Sequence, residues 1–147
     1  MSAGPSPLAD QQLVFRLGRQ VFGVEAALLW ETSSRVAFTE VPKTQGNLEG
    51  VTQMHGKIIP VLNLAAILGV KRRPPSGGFV AVKIPWPSEL LAGFVVDEVV
   101  GFLRTAGGGA RPAGADFPYA RAWDGVVALL DMPKLVADQV NGGKDHV

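Results

Sequence analysis

The chain contains no cysteine. A disulfide framework and a thiolate metal site are therefore both excluded. A cysteine-free chain fits a reducing compartment, and the expected location is the cytoplasm. Histidine is nearly as scarce, with two in the chain, at positions 55 and 146. Aromatic residues make up 7% of the sequence, and 14 Lys and Arg face 13 Asp and Glu for a net charge of +1. So balanced a chain projects no large field towards a polyanion or an anionic lipid surface, and nucleic acid is not expected as a partner. No apolar run reaches the roughly 20 residues that a membrane helix needs, so direct membrane insertion is not expected. Met1 to Asp10 lack the basic-then-apolar order of a secretion signal.

The same scarcity limits chemistry. A nucleophile, base and acid set would need Ser or Thr beside His55 and a carboxylate behind it. The serines stand instead in the first ten residues, at Ser33-Ser34, and at Ser76 and Ser88. Asp97 and Glu98 are adjacent, so on a strand they point to opposite faces and cannot share a divalent cation. Gly107-Gly108-Gly109 lacks the Lys-Ser/Thr that completes a phosphate loop. The expectation is a protein without catalytic residues, resident metal or cofactor.

What the chain does have is 18 glycines and 11 prolines among short apolar runs, in a sequence that is 47% hydrophobic. That mixture points to many turns and a β-rich fold. Its 147 residues suit one domain or two small lobes with a common core. Residues 1–10 read as a flexible arm, 11–141 as the folded domain and 142–147 as a polar tail. Gln12 to Leu17 alternates and returns through Gly18-Arg19 into Gln20 to Val24, a hairpin pattern. Glu25 to Glu31 reads as a short helical turn, and Arg35 to Phe38 as a strand. Phe79 to Ile84 is another strand. Leu90 to Val100 reads as one long central strand interrupted by Asp97-Glu98, with a bulge at Gly101. Thr105 to Arg121 reads as a loop and Trp123 to Leu130 as a last strand.

The organising stretch is Gly50-Val51-Thr52-Gln53-Met54-His55-Gly56-Lys57-Ile58-Ile59-Pro60-Val61-Leu62-Asn63-Leu64. It reads as two strands joined at His55-Gly56, with Pro60 requiring an edge position or a bulge. Asn63 then caps a short helix that Gly69 ends. Gly125 to Val136 repeats the ending, with Asp131 as the cap and Pro133 in the first turn of the helix. Two such endings suggest two lobes of similar construction; a chance likeness is the alternative.

Some residues carry two readings. Lys71-Arg72-Arg73 could meet an acidic partner or phosphates, or simply be solvated. Trp30 and Trp86 could anchor a partner or fill a core. His55, at a hairpin tip flanked by Met54 and Lys57, could be merely solvated or could touch a partner.

Phe38-Thr39-Glu40-Val41-Pro42, the organising stretch, Gly93-Phe94-Val95-Val96-Asp97-Glu98-Val99 and Leu129-Leu130-Asp131 with Leu135 together resemble the CheW-like domain of bacterial chemotaxis coupling proteins. The likeness runs in register from about Gln12 to about Val140. It implies two SH3-like, five-stranded β-barrel lobes sharing a hydrophobic interface, with short helices including one near the C-terminus. It implies a non-catalytic adaptor joining methyl-accepting chemoreceptors to a CheA-type histidine kinase. The partners would be the kinase regulatory domain, the receptor hairpin tip and other CheW-like domains. The implied docking groove takes Val36, Val41, Gly50, Met54, His55, Gly56 and Lys57 from one lobe, and Val96, Asp97 and Val99 from the other.

Two positions depart from the family pattern. Gln53-Met54-His55-Gly56 stands where Asn-x-Arg-Gly is usual, and Asn63 stands where Asp is usual. Imidazole lacks the bidentate fork of a guanidinium. A kinase-binding regulator of a gliding or pilus system, without normal receptor binding, is therefore one alternative. A small β-barrel that binds nucleic acid is the other.

Overall fold

The computed structural model describes residues 11–34, 37, 39–40, 47–72, 77–85, 89–104, 111–112 and 117–142, with backbone alone for 111–112 and 140–142. The strands are β1 (Gln11–Leu17), β2 (Gln20–Glu25), β3 (Leu29–Ser33), β4 (Thr39–Glu40), β5 (Leu48–Met54), β6 (Lys57–Leu62), β7 (Gly78–Ile84), β8 (Leu90–Val96), β9 (Glu98–Arg104), β10 (Arg111–Pro112), β11 (Ala120–Asp124) and β12 (Val127–Leu130). Helix α1 (Leu64–Leu68) follows β6, and α2 (Met132–Gly142) follows β12. The strands form two six-stranded sheets, ordered β10-β11-β12-β2-β1-β9 and β3-β7-β8-β6-β5-β4. We call the first the terminal lobe and the second the central lobe. The outermost β10 and β4 are two-residue strands, which leaves five longer strands in each lobe.

The two sheet orders are the same motif read twice. In each lobe an antiparallel hairpin lies beside a strand that runs parallel to it and leads into a capped helix. β12 runs parallel to β2 with Leu129 opposite Gly23, and β6 runs parallel to β8 with Val61 opposite Gly93. The chain crosses over between the copies. β1–β2 belongs to the terminal lobe, β3 to β8 build the central lobe, and β9 to β12 return to the terminal lobe. Each half of the sequence thus lends a hairpin to the sheet formed mainly by the other half.

Local chemistry sets the joints. Asn63 Oδ1 accepts from Ala66 N at 3.2 Å, and Asp131 Oδ1 from Lys134 N at 3.2 Å, so both helices start at a side-chain cap. Gly69 ends α1 with a left-handed φ of 75°. His55 and Gly56 take φ of 51° and 78°, the paired positive values that a type I′ hairpin requires. Pro60 lies opposite Val51 in β5, and β6 meets β8 only at Val61 and Leu62. Counting alternate pairs back from Met54–Lys57 turns the Pro60 nitrogen away from β5. Along that length β6 is an edge on its other side, so no ladder bond is lost there.

Burial explains the cohesion. Leu13, Phe15, Leu17, Phe22 and Val24 of the terminal lobe join Val80, Val82, Ile84, Phe94 and Val96 of the central lobe in one cluster. Leu64 and Leu68 of α1 and Leu135 and Val136 of α2 complete it. The interface between the lobes is therefore the main core. A smaller cluster lies on the other face of each sheet. In the terminal lobe it is Val14, Val127 and Leu129; in the central lobe it is Val61, Phe79 and Ala81.

Several expectations from the sequence need correction. The helical turn is three residues, Ala26–Leu28, and the chain is extended again from Leu29. The structure puts strand at Leu29–Ser33 and Thr39–Glu40; Arg35, Val36 and Phe38 lie outside the described residues. Leu90 to Val100 is two strands in different lobes, because the chain changes sheet at Asp97. Apolar composition does not reveal that change, since both segments border the shared core. The Gly101 bulge is present, at φ 146° and beside a register shift. The last strand is a hairpin, β11 and β12, turning at Gly125 with φ 62°. Trp86, His146, Gly107-Gly108-Gly109, the arm 1–10 and residues 143–147 lie outside the described residues.

Candidate functional site: one end of the central lobe

The β5–β6 tip converges with β3 and the β7–β8 turn. His55 Nε2 lies 3.1 Å from Glu31 Oε1 on β3. Its ring stands edge-on to Trp30, with centroids 5.4 Å apart and planes at 86°. A register shift between Leu29 and Glu31 lets Trp30 bulge out of the β3–β7 ladder. That bulge re-aims the strand so that Trp30 and Glu31 both meet the tip. Trp30 and Met54 are half-buried against Phe79 and Val61, so the tip rests on the small core of its own lobe. Lys57 is exposed beside it.

Lys83 Nζ contacts Glu89 Oε2 at 2.6 Å across the β7–β8 turn. The hydrogen bond and charge of Lys83, with Lys57 further off, hold the Glu89 carboxyl below its usual range. This end of the lobe therefore carries carboxylates and ammonium groups in alternation, Glu31, Lys57, Glu89 and Lys83, with the His55 imidazole among them. Round the corner, on the outer face of β4, β5 and β6, lies a shallow groove of about 380 Å³ lined by Ala37, Thr39, Val51, Thr52, Gln53 and Ile58. None of these is ionisable. Ile58 is 73% exposed, while Thr52 Oγ1 donates to Ala37 O at 2.8 Å and fixes the neighbouring chain. The site is thus an uncharged face of mixed apolar and polar residues with a charged rim, a composition that suits protein contact.

The residues expected from the sequence divide into groups. Met54, His55, Gly56 and Lys57 come together at the tip. Gly50 is buried in β5. Val96 is fully buried and Asp97 is 4% exposed, so neither can line an open groove. Asp97 is a structural joint instead. Its Oδ2 accepts from Gly18 N, its N–H donates to Arg16 O and its carbonyl accepts from Gly77 N, at 2.8, 2.9 and 2.9 Å. Val99 is half-buried against the main core. Val36 and Val41 lie outside the described residues. Arg72 is committed within the fold, gripping both oxygens of Glu49 at 3.2 and 2.6 Å. Sequence reasoning missed Glu31 as the partner of His55. The two stand 24 positions apart and meet only because of the bulge at Trp30.

Among the described residues no group of three His, Cys, Asp or Glu could hold a metal ion. Among them also no helix is long and apolar enough to cross a membrane. The "Chemotaxis protein CheW" of Thermotoga maritima is 32% identical over 92 residues, 63% of this chain and 60% of that protein. The "Probable chemotaxis protein CheW" of Rhizobium etli is 30% identical over 95 residues, 64% of this chain and 61% of that protein. The matches thus span about three-fifths of each relative's length. The crystal structure of the scaffolding protein TtCheW from Thermoanaerobacter tengcongensis superposes with a TM-score of 0.74 over 90% of both chains, at 22% identity, and so shares the fold. The model of the CheW-like domain matches residues 11–140, from the first residue of β1 into the last turns of α2, and the chain belongs to that family.

Proposed function

We propose that the protein is a non-catalytic adaptor of a chemosensory array, coupling chemoreceptors to a CheA-type histidine kinase in the cytoplasm. The observation that carries this reading is the family match over 11–140, together with a two-lobed body that offers an uncharged face beside a charged tip. The kinase regulatory domain and the receptor hairpin tip are the partners; other CheW-like domains are further ones. Met54, His55, Gly56, Lys57 and Ile58 form the docking end, with Glu31 holding His55. Such a surface combines modest apolar area with polar rim contacts, which gives moderate affinity that an array raises by avidity. Isothermal calorimetry of the full chain against the regulatory domain of a CheA-type kinase from the same genome tests it. Micromolar binding that Ile58→Asp weakens at least tenfold supports the reading. Absence of binding to every such domain overturns it.

A second reading has its own observation. His55 is engaged by Glu31 and Trp30 while its side chain stays 64% exposed. A kinase-binding regulator of a gliding or pilus system, without normal receptor binding, would fit that arrangement. Replacing His55 with Arg and measuring receptor recruitment separates the two: recruitment gained only by His55→Arg favours the regulator.

A further inference from the structure

Because the two lobes repeat one motif, each residue of one hairpin has a counterpart in the other. Val14 pairs with Gly23 in β1–β2, and Ala81 pairs with Gly93 in β7–β8. Gly23 and Gly93 also face the parallel strand at matching places, opposite Leu129 and Val61. The third strand agrees. β9 shifts register between Val99 and Gly101, and β3 between Leu29 and Glu31, each opposite the same pair of counterparts. Two residues before Val14 and Ala81 stand Gln12 and Phe79. Leu103 faces Gln12 and Ser33 faces Phe79, so both lie at one corner of the motif.

Phe79 fills that corner in the central lobe. It is fully buried, and its ring lies so close over Gly93 that an added Cβ would strike it. In the terminal lobe the corner holds an amide. Gln12 is 3% exposed, and its Oε1 is buried with no hydrogen-bond partner. Its Cβ lies 3.3 Å from where a Cβ on Gly23 would stand, among Leu129 and Val127. An acceptor buried without a partner forfeits its hydration, and the loss is recovered whenever water reaches it. Phe79 gains apolar burial at the same corner, where Gln12 carries an unmet carbonyl.

We propose that the terminal lobe is the compliant half of the molecule. Its interior, the cluster of Val14, Val127 and Leu129 with Gln12, admits water by local opening that the central lobe does not undergo. The opening spares the shared core, because Leu13, Phe15 and Phe22 face the other side of the sheet. Sub-global opening of this kind starts where packing and polar satisfaction are weakest. The physical cause is one residue, so the asymmetry between the lobes is transferable by substitution.

Native-state hydrogen exchange of the full chain tests this, comparing the amides of β1, β2 and β12 with those of β7, β8 and β6. The expected result is at least tenfold lower protection in the terminal lobe. Gln12→Leu should raise protection there by about tenfold and leave the central lobe unchanged. Gln12→Met, unbranched like glutamine, gives the same readout should leucine crowd Gly23. Phe79→Gln should move the defect and lower protection in β7, β8 and β6 alone. Equal protection in the two lobes of the unaltered chain overturns the proposal. So does a Gln12 substitution that shifts both lobes equally or neither.

Discussion

Asp97 Oδ2 accepts the backbone N–H of Gly18 at 2.8 Å, across 79 positions of sequence. The contact is buried and ties the turn of the first hairpin to the point where the chain leaves the central lobe. Gly18 suits the place for two reasons: φ is +67°, and a Cβ would come within 2.6 Å of Lys71 O. Asp97→Ala leaves the Gly18 amide unmet at the lobe junction. The expected loss is about 1.5–3 kcal/mol, the range for a hydrogen bond to a charged group. Asp97→Asn keeps a carbonyl oxygen and should lose less. Urea titration reads both as a lower midpoint at constant slope. As a joint rather than a contact, Asp97 should leave affinity for a partner unaltered wherever the variant is fully folded.

Much of this arrangement was legible. Asn63, Asp131, Gly69 and the His55-Gly56 tip act through bonds within a few residues, so their chemistry shows in the local sequence. The strand-cap-helix echo between Asn63 and Asp131 was also visible, and it is one end of a repeat that runs through all twelve strands. The crossing of the halves was hidden. Hydrophobicity records that a strand is buried, not which sheet it joins, and Leu90 to Val100 is apolar on both sides of the switch at Asp97. For the same reason Val96 and Asp97 were expected on a surface and lie in the interior. Glu31 was missed because a bulge, which no composition announces, brings it to His55.

The hairpin tip carries a non-glycine residue in the left-handed region, His55 at φ 51°. Glycine adopts that conformation without steric cost, and asparagine adopts it more readily than most residues. His55→Gly and His55→Asn should therefore alter stability by less than about 1 kcal/mol. His55→Val should cost roughly 1–3 kcal/mol through backbone strain. The exposed pair with Glu31 contributes at most about 1 kcal/mol. Thermal melts of the three variants with Glu31→Gln separate strain from charge: only His55→Val should melt markedly lower. A tip that docks a partner should lose affinity in all four.

Tyr119 stands in the turn just before β11 in the left-handed region, φ 65°, and its hydroxyl donates to Asp138 on α2 at 2.8 Å. Partial burial, then the hydrogen bond and charge of Asp138, raise the phenol above its ordinary value of 10.0. The sign follows from proton binding. Above pH 10 the unfolded chain loses this proton before the folded chain does, so stability falls as pH rises. Below pH 10 both states hold the proton and the group adds no slope. Equilibrium unfolding between pH 8 and 11 should show an alkaline decline that Tyr119→Phe reduces. An unchanged decline in that variant would assign it to the lysines instead.

Gly93 lies beneath Phe79, and any Cβ at Gly93 would collide with the ring. Gly93→Ala should therefore cost about 1–3 kcal/mol, the range for overpacking a core. Phe79→Leu alone should also destabilise, by leaving part of the corner empty. Combined, each change relieves the other: leucine makes room for the methyl group, and the methyl group fills space the ring left. The double variant should be more stable than the sum of the single losses predicts, with a coupling of about 0.5–3 kcal/mol. At the counterpart Gly23 the nearest atoms are side-chain carbons at 3.0 to 3.3 Å, which can yield. Gly23→Ala should accordingly cost less than Gly93→Ala. If the two glycines prove equally intolerant, the corner around Gln12 is packed as tightly as the one around Phe79, and a looser terminal lobe loses its physical basis.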